Sequence, residues 1–262
     1  MKKIAFFTNT DRDVENSLTT SLQKFIIESG HTLTKGSEEP DFAVVLGGDG
    51  TMLTAAAQYA YSSVPILGIN LGKLGYLTDA EVKNAQTSLK KLLDDNYEIE
   101  DRLMLEVEVD NCTDRPLLAL NDVVVHRGQN PRPIRIWLGI NNEYVDEFTA
   151  DGVIVATPTG STAYNLSAGG PLLKPDAKIM AITPVCPHLL GGRPVVVSAT
   201  DEILIRIDNL PQTTIANDGQ PISSDTLRAD CVTIKIKASK HTTKIMRTNN
   251  MNFYETFRAK LR

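Results

Sequence analysis

The chain has little cysteine, tryptophan or histidine: three, one and four residues out of 262. Cys112, Cys186 and Cys231 stand far apart, with no CxxC pair and no His/Cys cluster at zinc spacing. That excludes a disulfide framework and a structural zinc, and it fits a reducing compartment. No run approaches the ~18 apolar residues that a membrane span needs. The apolar Ile4-Ala5-Phe6-Phe7 behind Met1-Lys2-Lys3 is too short for a signal h-region, and Asn9, Asp11, Arg12 and Asp13 follow at once. It reads as a first β-strand, so the expectation is a soluble, cytoplasmic protein. Positive charge is also not in excess: 27 Lys and Arg against 32 Asp and Glu give −5. This argues against a nucleic-acid-coating surface, although a local basic pocket for phosphates stays open. Internal repeats, low-complexity linkers and amphipathic basic helices are absent too.

What is present is the balance of an ordinary globular protein, 42% hydrophobic and 23% charged. Strand and helix signals alternate over the first hundred residues. Lys3–Thr8 is a short strand, and Val14–Ser29 carries Leu18, Leu22, Phe25 and Ile26 at helical spacing with Gly30 as its stop. Asp41–Leu46 is a buried-type strand, Thr51–Tyr61 a helix, Pro65–Ile69 a strand and Ala85–Leu93 a helix. This alternation predicts a Rossmann-like parallel sheet with crossover helices. From about Glu98 the texture turns β-rich: 106–109, 120–126, 134–140, 143–148, 152–156, 202–207 and 231–236 read as short strands, separated by turns such as Asn141-Asn142 and Asp208-Asn209. A largely antiparallel domain is expected there, with a helix only at Ser161–Ala168. Phe253, Phe257 and Leu261 suit a short docking helix in the tail from Asn252 to Arg262. The expected fold is therefore an α/β N-terminal domain over 1–98 followed by a β-rich domain over 99–240.

Val44-Val45-Leu46-Gly47-Gly48-Asp49-Gly50-Thr51 is the most informative stretch. A strand that leads through glycines into a helix offers bare N–H groups and a positive helix end to an anion. The loop has neither the Lys-Ser/Thr of a P-loop nor GxGxxG spacing. It has a carboxylate, Asp49, among the donors. An acid beside polyphosphate is unfavourable unless it accepts a proton from an attacking hydroxyl or helps hold a metal, and both jobs belong to phosphoryl transfer. The plainer reading is a tight turn with Asp49 as helix N-cap.

A second glycine-rich segment runs from Asp151 to Leu173. Thr157, Thr159, Ser161 and Thr162 crowd a turn at a helix start beside Tyr164. Such a turn binds phosphate or sugar hydroxyls through neutral donors. The alternative is that the hydroxyls serve the backbone, but their number exceeds what capping requires. Between the two segments, Asn121-Asp122 opens an apolar strand and, taken alone, is a turn.

Gly47-Gly48-Asp49-Gly50-Thr51, Asn121-Asp122 and the 157–165 run Thr-Pro-Thr-Gly-Ser-Thr-Ala-Tyr-Asn, in this order, resemble the NAD kinase family. Further matches are the 68–77 run Gly-Ile-Asn-Leu-Gly-Lys-Leu-Gly-Tyr-Leu, the 183–188 run Thr-Pro-Val-Cys-Pro-His with Arg193-Pro194, and Asp218-Gly219-Gln220, so the likeness covers nearly the whole chain. The first motif is shared with diacylglycerol- and sphingosine-type lipid kinases and with phosphofructokinases; the Thr-Pro-Thr-Gly-Ser-Thr-Ala-Tyr segment is specific.

The resemblance implies transfer of the γ-phosphate of ATP to the 2′-hydroxyl of the adenosine ribose of NAD, giving NADP. It implies Asp49 as the catalytic base, with Gly50, Asn121 and Asp122 contacting the dinucleotide. Asp122 stands where relatives usually carry Glu, one methylene shorter with its charge kept. Asp151 and the run Thr162, Ala163, Tyr164, Asn165, Leu166 and Ser167 match positions lining the NAD site, and Arg132 and Gln220 fall at further binding positions. Thr149 occupies a place where many relatives have a basic residue, with Arg132 or a neighbouring subunit as substitute. The resemblance also implies a two-domain fold with the site in the cleft and the tail 241–262 returning to complete the first domain, a divalent metal (usually magnesium, its ligands not assigned) and a homo-oligomer, tetramer or dimer. A lipid kinase and a non-catalytic dinucleotide-binding regulator are the alternatives. His126 and His188 read as structural, Trp137 as core, Cys186 as a buried inert thiol, and the lysines in 228–240 as a solvated strand face.

Overall fold

The computed structural model describes residues 1–9, 13, 16–34, 38–72, 75–110, 116–188, 192–208, 213–222, 231–249 and 253–260. Val14, Lys73, Leu74, Cys112, Asn209, Arg228, Asn252 and the tail's Leu261 and Arg262 lie outside the described residues. Two compact units emerge: residues 1–102 with 241–262, and residues 103–240.

The first unit opens with β1 (Lys3–Thr8), α1 (Ser17–Glu28), β2 (Thr32–Leu33), β3 (Phe42–Gly47), α2 (Asp49–Tyr59), β4 (Ile66–Asn70), β5 (Ala80–Glu81), α3 (Ala85–Leu93) and β6 (Glu98–Val109), which continues into the second unit. Strands β2, β1, β3 and β4 lie side by side and parallel, with Ile4 opposite Phe42 and Ala43 opposite Ile66. Every residue of β3 and β4 is buried, as parallel strands covered on both faces require. Helix α1 turns Leu22 and Ile26 inward and α3 turns Leu89 and Leu92, onto Ile4, Val44, Leu46 and Ile69. Beyond α1, the Gly30 N–H bonds Ile27 C=O and the His31 N–H bonds Ile26 C=O, closing the helix where the glycine was expected to stop it. Helix α2 starts at Asp49 rather than Thr51. Gly48 is extended and caps it, and an acid in the first turn is favoured by the helix dipole.

The second unit contains β7 (Leu117–Ala119), β8 (Asp122–His126), β9 (Ile134–Ile140), β10 (Glu143–Ala150), β11 (Gly152–Ala156), α4 (Tyr164–Ser167), β12 (Ile179–Val185), β13 (Val195–Ser198), β14 (Glu202–Asp208), β15 (Thr214–Asn217), β16 (Gln220–Pro221) and most of β17 (Cys231–Arg247). All described pairings among these strands are antiparallel. One layer runs β10-β9-β14-β17, the other β13-β12-β11-β8-β15-β16. Ile134, Ile136 and Leu138 point into a core shared with Val123, Val125, Val153, Val155, Ile205 and Ile234. Trp137 faces the other way, half-buried beneath the Arg206 guanidinium at 4.6 Å, so it is not the core residue its strand suggested. The period of two that carries Ile136 inward carries Trp137 outward.

Strand β17 runs eleven residues past the expected Ile236, because burial resumes at Thr243, Ile245 and Met246 after a polar stretch. Its last residues return to the first unit: Ile245 pairs with Ile66 in parallel, and Met246 joins the α1–α3 core. Helix α5 (Phe253–Lys260) follows, with Phe253 stacked on Phe257.

Candidate active site

The β3–α2 turn in the first unit opens onto a cleft of about 320 Å³. Gly48, Asp49, Gly50 and Thr51 form one wall; Asn9, Asn70, Gly75 and Lys260 complete the lining. Among the described residues no side chain caps α2, so its first-turn N–H groups remain available to an anion. Asp49 is not the helix N-cap of the plainer reading. Its carboxylate leaves its own helix and accepts the N–H groups of Tyr76 and Leu77, at 2.9 and 3.0 Å.

That grip has a visible cause. A β-carbon on Gly75 would lie 1.9 Å from Asp49 Oδ1, so only glycine lets the carboxylate reach the two amides. The loop is held from beneath by Asn70, whose Oδ1 accepts the Gly72 N–H at 2.8 Å and whose Nδ2 meets Thr78 Oγ1 at 3.3 Å; Thr78 Oγ1 in turn accepts the Gly75 N–H at 2.9 Å. From behind, Arg247 donates to the carbonyls of Tyr76, Leu77 and Thr78, at 3.0, 3.4 and 3.0 Å. Its Nε binds Glu100 at 3.0 Å. Burial pushes the Glu100 carboxyl up, yet Arg247 and Arg102 outweigh it and leave it below the usual carboxylate range. With its carbonyls fixed, the 76–78 backbone presents its amides to Asp49. Lys260 Nζ lies 3.8 Å from Asp49 Oδ2 and 4.2 Å from the Tyr76 ring centroid. Burial and then the Asp49 charge push the Tyr76 phenol up.

In the second unit, Asn121 and Asp122 sit where β8 begins. The Asp218 carboxylate accepts three consecutive amides there, from Leu120, Asn121 and Asp122, at 2.7, 2.7 and 3.1 Å. Asp122 is buried, with no opposite charge beside it among the described residues; burial and then the Asp218 charge raise its carboxyl from 3.8 to about 7. Burial also raises Asp218, against the pull of its three amides.

Asp151 carries an unanticipated partner. Arg127 Nε is 2.8 Å from Asp151 Oδ1, and its Nη1 reaches Asn130 C=O. Arg127 thus places a cation beside Asp151, two residues from Thr149. Arg132, the expected substitute, is exposed, and its N–H is bound to Asn130 Oδ1 at 3.0 Å. Sequence reading missed Arg127 because the β8 and β11 register, not chain proximity, joins it to Asp151.

The hydroxyls at 157–162 have work inside the turn. Thr157 Oγ1 donates to Leu120 C=O at 2.5 Å, Ser161 Oγ to Pro158 C=O at 2.6 Å and Thr162 Oγ1 to Thr159 C=O at 3.1 Å. Asn165 is fully buried: Thr183 Oγ1 donates to its Oδ1 at 2.7 Å, and its Nδ2 reaches Pro171 C=O at 3.0 Å. Thr157, Ser161 and Thr162 thus each bond a carbonyl of the protein's own backbone. Of the expected dinucleotide residues in this segment, Tyr164 and Ser167 are exposed and Thr162, Ala163 and Leu166 are half-buried. Gln220 is exposed in β16. His126 Nδ1 accepts the Gly128 N–H at 3.1 Å, a structural role, while Cys186 is exposed rather than buried because it sits just past the end of β12. Lys235 and Lys237 face outward, as the strand period requires, and Lys240 is exposed too.

Among the described residues, no group of three His, Cys, Asp or Glu side chains could hold a metal. No described helix is long and apolar enough to cross a membrane.

Residues 1–97 match the family model for the ATP-NAD kinase N-terminal domain, and residues 120–248 match that for the C-terminal domain. A Thermoanaerobacter NAD kinase (strain X514) is 38% identical, with 100% of this chain and 99% of that protein covered. An NAD kinase of Caldanaerobacter subterraneus is 39% identical, with the same shares covered. Among solved structures, an Archaeoglobus fulgidus NAD kinase in complex with ATP is 28% identical at a TM-score of 0.79, over 99% of this chain and 98% of that one. Yeast NADH kinase complexed with NADH shares the fold at a TM-score of 0.85 and 24% identity, over 100% of this chain and 87% of that one. With both halves matched by the models and the full length matched by these relatives, the chain belongs to the NAD kinase family.

Proposed function

We propose that the protein phosphorylates NAD at the 2′-hydroxyl of the adenosine ribose, using ATP and releasing NADP and ADP. The observation that carries this reading is Asp49: a carboxylate held by two amides at the open end of a helix, facing a cleft with uncapped phosphate-binding N–H groups. In the proposed step the O2′–Pγ bond forms as the bond from Pγ to the β,γ-bridging oxygen breaks. ADP leaves with that electron pair, and the hydroxyl proton passes to Asp49. A positioned base contributes about 10²–10⁴-fold in rate. First-turn amides of α2, including that of Gly50, offset charge on the phosphates.

Dinucleotide binding falls to Asn121, Asp122, Asp151 with Arg127, Arg132, Gln220 and the accessible part of 162–167. Asn165 acts by holding that segment rather than by touching ligand. Magnesium enters with the nucleotide's phosphates, as is usual for this ion. A cytoplasmic location and a homo-oligomer accompany this reading. The test is one assay with NAD, ATP and magnesium, read by an NADP-dependent dehydrogenase. Signal that requires all three supports the reading; no NADP, or phosphorylation of diacylglycerol instead, contradicts it.

A further inference from the structure

Lys260 is the one cation among the described residues that line the cleft, and it is delivered by the last turn of α5. We propose that Lys260 is a phosphate-binding residue at the reaction centre, whose ammonium exchanges the Asp49 carboxylate for the terminal phosphate of the entering nucleotide. The proposal rests on the NAD kinase reading above and assigns a further residue to that site.

Three observations converge on it. First, at 3.8 Å from Asp49 Oδ2 the ammonium is beyond hydrogen-bonding reach, so the contact is an ion pair that leaves its N–H donors uncommitted to that acid. Both Asp49 oxygens are already satisfied by backbone amides, which means the carboxylate does not depend on Lys260 for its position. Second, the ammonium rests over the Tyr76 ring at 4.2 Å. A ring face attracts a cation without directing it to a single acceptor, so the lysine can swing on its four-carbon stem while staying at the cleft. Third, the electrostatics need it. A polyphosphate brought beside Asp49 meets a full negative charge, and helix amides answer with roughly half a positive charge. Lys260 neutralises Asp49 as the nucleotide approaches and then stands next to the phosphoryl group being transferred, where Asp49 must also be for proton transfer. No bond to Lys260 forms or breaks; its role is to bind and to offset charge.

The experiment uses the full chain with Lys260→Ala and Lys260→Arg, with ATP and NAD varied separately in the kinetic assay and inorganic tripolyphosphate titrated by calorimetry. A charge-assisted hydrogen bond is worth enough to change affinity ~10-fold or more. Lys260→Ala should therefore raise the KM for ATP and the Kd for tripolyphosphate by about that factor. The KM for NAD should stay within about twofold, kcat should fall, and Lys260→Arg should restore most of the loss. An unchanged tripolyphosphate Kd in Lys260→Ala overturns the proposal, and so does an equal rise in both KM values, which would mark general damage to the site. If the unmutated protein forms no NADP, the enzymatic reading fails, and the tripolyphosphate titration still decides the role of Lys260.

Discussion

The β3–α2 turn and the β11–α4 turn start from similar sequence: a buried strand, glycines mixed with short polar residues, and a helix. They end in opposite states. In the first, the helix end is uncapped, and Asp49 is drawn away by the 76–77 amides to the edge of a cleft. In the second, Thr157, Ser161 and Thr162 turn inward onto carbonyls, and Asn165 ties the helix to Pro171 and Thr183. Composition alone does not separate a turn that presents its polar groups from one that consumes them. Where the hydrogen bonds terminate does. The first turn should answer mutation in rate and the second in stability.

The sharpest use of that contrast is Asp49→Asn. Turnover should fall by at least ~10², with NAD affinity by calorimetry and the melting temperature nearly unchanged. A large loss of stability would put Asp49 with the structural turn. Gly75→Ala comes next. Its β-carbon takes the space of Asp49 Oδ1, so the carboxylate must leave its amides while remaining in the protein. We expect kcat to drop roughly tenfold or more, because misplacing a catalytic group by about 1 Å is costly. Normal kcat there would break the account of how Asp49 is aimed.

For the second turn, Asn165→Ala removes a buried amide and orphans the Thr183 hydroxyl. The cost should be about 2–3 kcal/mol by denaturant unfolding, with kcat retained below the new melting point. A kcat loss without destabilisation would make Asn165 a ligand contact after all. The mildest effect is in pH. Asp122 binds its proton more tightly in the folded chain, at about 7, than at the ordinary carboxyl value of 3.8. Its contribution to stability is thus fully present below the unfolded value and declines as pH rises through 7, by at most about 1.4 kcal/mol per pH unit. Urea midpoints at pH 5 and 8 should drop less for Asp122→Asn than for the unmutated chain.

Much of this was legible in the sequence. The parallel and antiparallel halves followed from burial patterns, since β3 is a continuous apolar run and β9 alternates. Asp49 stood out because an acid among glycines before a helix is chemically odd. What escaped were residues joined by tertiary register. Arg127 meets Asp151 across paired strands, Arg247 grips a loop 169 residues away at Thr78, and Lys260 arrives on the final helix. None has a local pattern to betray it. The internal bonds of the hydroxyl-rich turn were equally hidden, because donors are countable in a sequence and their acceptors are not.

The most direct measurement is a crystal structure of the Asp49→Asn protein with NAD and a non-hydrolysable ATP analogue. The adenosine-ribose 2′ oxygen should lie within about 2.6–3.2 Å of the residue 49 side chain, in line with the terminal phosphorus. A ribose turned so that another group faces O2′, with residue 49 remote from it, would contradict the assignment of Asp49 as the proton acceptor.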